Sequence, residues 1–492
     1  MKKIKDFIKN YHPSKLICIA YFLIPIVVCI LQTLKVDNDF WFLINHGRYI
    51  LSNGFPTIEP FTIHSNMAFM IQQWLTDVIY YRIYDWFGII GIIILVSIVN
   101  IGIIFVLYKL CMLLSKGKVR LSVLLTVIAD TLLSLSFIVA RPQIFTYLIL
   151  LLALYFLEKY IEKDNGKYLI VLPFLSLLLI NFHSSMWFML IAFMIPYLID
   201  AFKFKTGVLE GEGYRKKPLL IALLFVILAG FINPYGLESI KYIFTSYGNS
   251  YINQYVGEMI APLIKTPLGM IVYITIFGVL FTYIFHKKGH LKLRYLCLFL
   301  GTCFLVLTSM KGFAFFIIAA IVPLSYYLQD LFLADSRNIK KLFINNWKQY
   351  TVIYLVLIIV TSGLTIACAN PRLLPYNSEA TKYLKERYNE KEMVLYTNYE
   401  DGSYAEWLGL KPYIDPRAEV FLKANNGQKD IFQEYCEVQL RKIKPEEFIK
   451  IYSFTHFIVS EEDTLYEYLK EHEESYSEIY RDEYRHIFAR VE

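Results

Sequence analysis

The sequence predicts an all-α polytopic membrane protein of about eleven transmembrane helices, with a small C-terminal α/β domain. Three observations predict this. The 492 residues are 56% hydrophobic, with a mean hydropathy of +0.45. Only 18% are charged, where a soluble chain holds about a quarter. The apolar residues come in long runs rather than in alternation, until the last 120 or so residues, which lack such runs. The net charge of +7 is no nucleic-acid signal, because most of the excess lies in loops between hydrophobic runs. The seven cysteines form neither a CxxC nor a metal-ligand spacing, so neither a disulfide framework nor a zinc site is indicated.

The candidate spans are roughly 15–35, 87–114, 119–139, 143–161, 168–183, 185–204, 217–233, 267–286, 292–310, 312–332 and 349–369. The first follows a basic start, is too long for a signal-peptide core and lacks a cleavage site. It therefore reads as a retained anchor. Lysine and arginine bias sets the orientation. With the N-terminus inside, the inner segments hold 24 such residues and the outer loops 7. Every inner loop is basic and otherwise bland. The outer side then receives the polar stretch 36–86, Arg141-Pro142-Gln143, Asn181 to Ser184, Asn233-Pro234-Tyr235-Gly236, Glu258, Lys311 and the hydrophilic tail. Polar backbone at membrane depth is tolerated where it is buried in protein or lines a wet cavity.

The 36–86 segment reads as two interfacial helices, Asp39 to Ser52 and Asn66 to Asp85, from apolar residues at near-helical spacing. Asp37 and Asp39 stand at the exit of a span, where a carboxylate needs water or a partner. Asp130, in the middle of the third span, is an intramembrane acid that neighbouring helices alone would explain as well as a site would. Arg141 suits a phosphate by its guanidinium fork, or anchors its span at the interface. Asn181 and His183 occupy a tight turn. Lys311 either meets a phosphate or caps a helix.

Residues 1–370 form the membrane domain and 371–492 the extracytoplasmic domain in this reading. In the latter, helices are expected at 379–388, 428–441, 445–452 and 463–473. Strands are expected at 392–397, 412–415 and 455–460, with a closing hairpin over 476–491. Loops 398–404 and 415–419 follow strand ends, where such layered domains bind ligands. No Walker loop, GxGxxG or GxSxG is present, so nucleotide use is unsupported.

The D-x-D-x-W run at Asp37, the H-G-R-x-I-L-x-x-G run at His46, Glu59-Pro60-Phe61 and Gln73-Trp74-Leu75 together resemble the opening of a family of bacterial membrane proteins. R-P-Q at Arg141, N-x-H-S at Asn181, N-P-Y-G at Asn233, a basic residue before a late span and I-D-P-R-A-E around Asp415 and Arg417 extend the likeness. The chain is similar to the GT-C superfamily of lipid-sugar-dependent glycosyltransferases, near its RgtA-like, aminoarabinose-transferase and protein O-mannosyltransferase branches. It departs from relatives where Gln72-Gln73 replace a usual His-Glu and Glu59 replaces an Asp.

The resemblance implies an Asp general base in the first outer loop, Asp37 or Asp39, with Asp37 slightly favoured as the first acid after the span. It implies a polyprenyl-phosphate sugar as donor and a cell-envelope glycan or lipid as acceptor, at the outer face of the cytoplasmic membrane. Arg141 and Lys311 would hold the donor phosphate, and His183, Asn181 and His46 would orient donor groups. Glu59, Gln73, Glu258, Asp415 and Arg417 would serve the acceptor or support the site. A divalent metal is not indicated. The rival readings are a polysaccharide polymerase or ligase, which would lean on basic residues in a large outer loop, and a non-enzymatic transporter or accessory protein. A transporter should show inverted repeats and spans broken near the midplane; no clear repeat is seen.

Overall fold

The structure, a computed structural model, describes residues 36–246, 248–286, 288–330 and 374–491. The first and last candidate spans, 15–35 and 349–369, lie outside the described residues, as does the expected anchor.

Helix α1 (Asp39–Asn53) begins where the carbonyls of Asp37 and Asn38 accept from the Phe40 and Trp41 amides at 3.0 and 3.2 Å. Asp39 in its first turn suits the positive end of the helix. Gly54, at φ 82°, ends it. Phe40 to Gly47 are all buried, so α1 is a core element and not a surface float.

The expected second interfacial helix differs. Residues 54–73 are irregular, and helix α2 (Trp74–Leu114) runs from Trp74 directly through the next span. Two things displace the helix that periodicity suggested. The Ala68 amide is held by the Asn426 carbonyl at 3.0 Å, and residues 58 and 68 form a bridge. The interfacial part of α2 turns into its span at Gly88, whose φ of 61° and ψ of −157° are non-helical. Beyond that kink Ile90, Ile94, Ile98 and Phe105 are exposed at near-helical spacing while Ile92, Val96 and Ile103 are buried. An apolar stripe turned outward is what a lipid-facing helix presents.

Among the described residues, eight further helices build the bundle and two short ones connect it. They are α3 (Val119–Ser134), α4 (Gln143–Lys163), α5 (Val171–Phe182), α6 (Trp187–Asp200) and α7 (Lys216–Ala229). After the short α8 (Leu237–Ser246) and α9 (Ser250–Tyr255) come α10 (Pro267–Phe285), α11 (Leu293–Thr308) and α12 (Gly312–Leu328). By length and composition α2, α4 and α10 can cross a membrane. Every residue of α12 from Gly312 to Pro323 is buried, which places this apolar helix at the centre. Asp130 is buried within α3.

The turns assigned to one side by charge meet at one end of the bundle. Gln72 accepts from the Ser184 amide at 3.0 Å, Tyr235 donates to the Pro56 carbonyl at 3.2 Å, and Arg141 reaches Asp37. The basic turns meet at the other end and are not bland. Strands β1 (Phe204–Thr206), β2 (Leu209–Gly211) and β3 (Leu291–Lys292) form a small sheet there. Beside it Arg294 is buried against Glu158 at 3.1 Å, Asp200 at 2.5 Å and Glu212. These acids come from helix α4, the end of α6 and the loop after β2, so composition alone hid the cluster.

The C-terminal region contains α13 (Ser378–Arg387), β4 (Leu395–Thr397), α14 (Gly402–Trp407), α15 (Ile431–Gln439), α16 (Pro445–Tyr452), β5 (His456–Val459), α17 (Thr464–Glu471), β6 (Tyr476–Arg481) and β7 (His486–Arg490). The sheet order is β4-β5-β7-β6, with β4 and β5 parallel and the other pairs antiparallel. The strand expected at 412–415 is reduced to one bridge between residues 395 and 412, because Pro412 has no amide to donate and Pro416 follows. This region covers the start of α1: Ser403 donates to the Asn38 carbonyl at 2.8 Å, and Trp41 meets Tyr404 edge-on at 4.9 Å.

Removing Arg294 leaves Glu158 and Asp200 buried without their cation, a change that costs about 3–5 kcal/mol where a buried pair is broken. Arg294→Leu should therefore lower the thermal midpoint of the detergent-purified protein, followed by tryptophan fluorescence. An unchanged midpoint would show that this cluster does not hold the end of the bundle.

Candidate functional site

Arg141 sits just before α4, fixed by its own backbone. Its amide donates to the Val139 carbonyl at 2.7 Å, and its carbonyl accepts from the Tyr80 hydroxyl at 3.2 Å. Its guanidinium is the meeting point of three loops. Nη2 lies 2.8 Å from Asp37 and 3.0 Å from Asp39, and Nη1 lies 2.9 Å from Glu258. The other Glu258 oxygen accepts from Lys311 Nζ at 2.9 Å. The backbone doubles this last contact, because the Lys311 amide donates to the Glu258 carbonyl at 3.0 Å and Ser309 Oγ does the same at 3.0 Å. A cavity of about 100 Å³ opens between them, lined by Arg141, Glu258, Lys311, Gln143, Tyr147 and Phe137 among others.

The electrostatics divide the acids. Burial raises Asp39 well above the usual carboxylate range, against the pull of Arg141, and the neighbouring Asp37 and Glu258 charges add to the rise. Burial also pushes Glu258 up, but Lys311 and Arg141 outweigh it and hold the carboxyl at about 2. One acid is thus a fixed anion bridging two cations, and the other holds a proton more readily than an ordinary carboxylate does. Asp39 keeps 22% of its side chain exposed, so it is open to a partner.

His183 is buried, with Nδ1 2.8 Å from Thr146 Oγ1. Burial, with help from Lys311, lowers its pKa to about 3, which keeps it neutral. Asn181 is fully engaged: Oδ1 accepts from Trp74 Nε1 at 2.8 Å, and Nδ2 donates to the Leu177 and Ile232 carbonyls at 2.8 and 2.9 Å. It ties loops together beside the site. Gln73 is the residue before α2, while its neighbour Gln72 donates to Glu419 at 3.1 Å.

The remaining candidates form a second cluster. His46 Nδ1 lies 3.1 Å from Asp77, and Arg417 Nη1 lies 3.0 Å from His46 Nε2. Since Arg417 can only donate, Nε2 accepts and Nδ1–H faces Asp77. Burial and Arg417 both lower the His46 pKa well below its ordinary value. Arg417 also reaches Asp415 at 2.6 Å, Glu406 at 2.7 Å and Glu59 at 3.1 Å. Glu59 in turn accepts from the Phe61 and Thr62 amides at 3.1 and 2.9 Å. All six side chains are buried. Arg141 therefore gathers Asp37, Asp39, Glu258 and Lys311, whereas His46, Glu59, Asp415 and Arg417 meet elsewhere, two turns further along α1.

Sequence reasoning did not single out Tyr147, Glu400 or Glu406. Glu400 accepts from Asn38 at 3.2 Å and so stands beside the acid pair. Its polar loop was a visible signal. Tyr147 is one of 39 tyrosines on an apolar helix and offered none. Among the described residues, no group of three or more His, Cys, Asp or Glu is arranged to hold a metal ion.

No family model matches the chain, and no curated protein matches it in sequence. Its fold is similar to that of solved structures. ArnT from Cupriavidus metallidurans bound to undecaprenyl phosphate superposes with a TM-score of 0.57 at 13% identity, over 98% of this chain and 99% of that one. The Archaeoglobus fulgidus oligosaccharyltransferase in its apo form gives a TM-score of 0.60 at 12% identity, over 90% of this chain and 69% of that one. The same enzyme tethered to an acceptor peptide gives 0.57 at 11% identity over the same shares.

Two outcomes follow from the geometry. The Glu258 pKa lies below its ordinary 4.5, so its stabilising contribution is complete above that pH and is lost as pH falls towards about 2. The difference in thermal midpoint between native protein and Glu258→Gln should be largest above pH 4.5 and shrink below it; a constant difference would contradict the two-cation bridge. Arg417→Met should loosen the C-terminal region, seen as faster limited proteolysis there and a loss of about 3–5 kcal/mol.

Proposed function

We propose that this chain, whose fold is GT-C-like, is a membrane glycosyltransferase that moves a sugar from a polyprenyl-phosphate donor to a hydroxyl of a cell-envelope glycan or lipid. The reading places the reaction at the outer face of the cytoplasmic membrane, with the N-terminus inside and the C-terminal region, residues 371–492, as an extracytoplasmic α/β domain over the site. The observation that carries it is the Arg141 cluster, where two acids from the first loop sit on the guanidinium, Glu258 ties it to Lys311, and Arg141, Glu258 and Lys311 line one cavity. A neighbour of the same fold bound to undecaprenyl phosphate, and another tethered to an acceptor peptide, support a lipid-linked donor and a separate acceptor.

The chemistry needs a proton acceptor and a cradle for a leaving phosphate. The acceptor hydroxyl gives its proton to Asp39 or Asp37 as its oxygen attacks the anomeric carbon. The bond from that carbon to the phosphate oxygen breaks, and its electron pair leaves with the phosphate. A single displacement of this kind inverts the anomeric centre. Arg141 and Lys311 face the departing charge; the guanidinium fork matches two phosphate oxygens. In the structure carboxylates contact those donors. Donor entry would exchange a phosphate for a carboxylate at Arg141 and release an aspartate beside the sugar. The raised Asp39 pKa favours Asp39 as the acid released for proton transfer, with Asp37 retained on the guanidinium. His183, neutral and buried beside Lys311, would orient the donor through its ring.

The test is turnover of defined polyprenyl-phosphate sugars by purified protein. Replacing the base should cost about 10²–10⁴-fold in kcat, so Asp39→Asn should fall in that range while Asp37→Asn loses less. Native activity should rise with pH through the raised Asp39 pKa, and this acid limb should vanish in Asp39→Asn. Full activity in both variants would reject the assignment.

A further inference from the structure

A second feature lies at the opposite end of the bundle, where the basic turns meet. Helices α5 and α7, with the turn before α5, line a groove of about 900 Å³ there. Its walls are apolar: Leu169, Ile170, Phe174, Ile221 and Phe225 line it. Several of these are open to the surroundings, Ile170 and Phe174 at 62% each and Phe225 at 52%. The groove's mouth carries three consecutive cations, Arg215, Lys216 and Lys217, and its lining holds no acid. Gly166 packs against Pro218 beside the cations, where a Cβ on the glycine would lie 3.3 Å from the proline ring.

The cations are placed by the chain start of α7. Arg215 Nε bonds Asp164 at 2.8 Å, which anchors the mouth to the turn after α4. Lys216 Nζ lies 4.5 Å from the Phe202 ring centroid. Lys216 and Lys217 open α7, whose first two amides have no carbonyl within the helix to bond; the third residue, Pro218, has no amide hydrogen. Apolar walls with a cationic rim at a helix start match one kind of molecule: two acyl chains below and a phosphodiester above. The volume falls within the range of sites that enclose a small ligand.

We propose that this groove binds an anionic glycerophospholipid, its acyl chains along α5 and α7 and its phosphate at Lys216, Lys217 and the first turn of α7. The charge complementarity selects an anionic headgroup over a zwitterionic one. The site lies away from the Arg141 cluster and requires only that the bundle stand in a bilayer, so it does not depend on the glycosyltransferase reading.

The test is native mass spectrometry of delipidated full-length protein after adding back phosphatidylglycerol or phosphatidylcholine. Phosphatidylglycerol should be retained in preference, and the pair Lys216→Gln with Lys217→Gln should reduce its retention by roughly tenfold to thirtyfold, the effect of two interfacial cations. The pair Lys216→Arg with Lys217→Arg should keep it. Both pairs change exposed side chains, and an unaltered thermal midpoint will show that they fold. Equal retention of the two lipids, no loss in the glutamine pair, or an equal loss from Lys241→Gln with Lys265→Gln elsewhere on the surface would overturn the proposal. Displacement by millimolar inorganic phosphate would also overturn it, because the ligand would then be the anion alone.

Discussion

Arg417 is the interaction on which the site's geometry depends. It is buried, and it joins three stretches far apart in sequence: α1 through His46, the irregular segment through Glu59, and its own C-terminal region through Asp415 and Glu406. The rings of Phe61 and Phe69 flank the guanidinium at 5.4 and 5.3 Å. A cation surrounded by apolar rings must keep every partner, because removing one leaves an uncompensated charge. The charge balance is met by division. Arg417 holds Asp415 below the usual carboxylate range against the effect of burial, while burial drives Glu406 well above it.

This fastening reaches the candidate site through α1. Seven residues, close to two helical turns, separate Asp39 from His46, so both lie on one side of the helix. Fixing His46 between Asp77 and Arg417 fixes the rotation of α1 and thereby the direction of Asp39. The C-terminal region adds a second constraint at the helix start, through Ser403 on the Asn38 carbonyl and Glu400 on the Asn38 side chain. Two charged clusters thus have different work. One is fully enclosed and holds elements together; the other, at Arg141, borders a cavity and keeps its acids partly exposed.

Much of the bundle was legible in the sequence because apolar length is a strong signal. Among the described residues, the two groups of turns that the charge count separates lie at opposite ends of the bundle, and the polar turns at one of them contain the Arg141 cluster. Loss of legibility has specific causes. Asn66 to Trp74 has helical periodicity, yet tertiary hydrogen bonds from Ala68 and around Glu59 hold that segment irregular. His46 and Arg417 stand among motif residues, and motif spacing does not distinguish a residue that touches a ligand from one that fastens a loop. The Arg294 cluster draws on residues 158, 200, 212 and 294, a pairing that only the folded chain reveals.

The Arg141 cluster also constrains how any anion can enter. Asp37, Asp39 and Glu258 oppose Arg141 and Lys311, so with all groups ionised the cluster carries one net negative charge. A phosphate approaching that state is repelled. Protonation of Asp39, which burial favours, removes the excess negative charge. In the proposed reaction Asp39 must give up that proton before it serves as the base, while Lys311 and Arg141 hold Glu258 ionised as the bridge between the two cations.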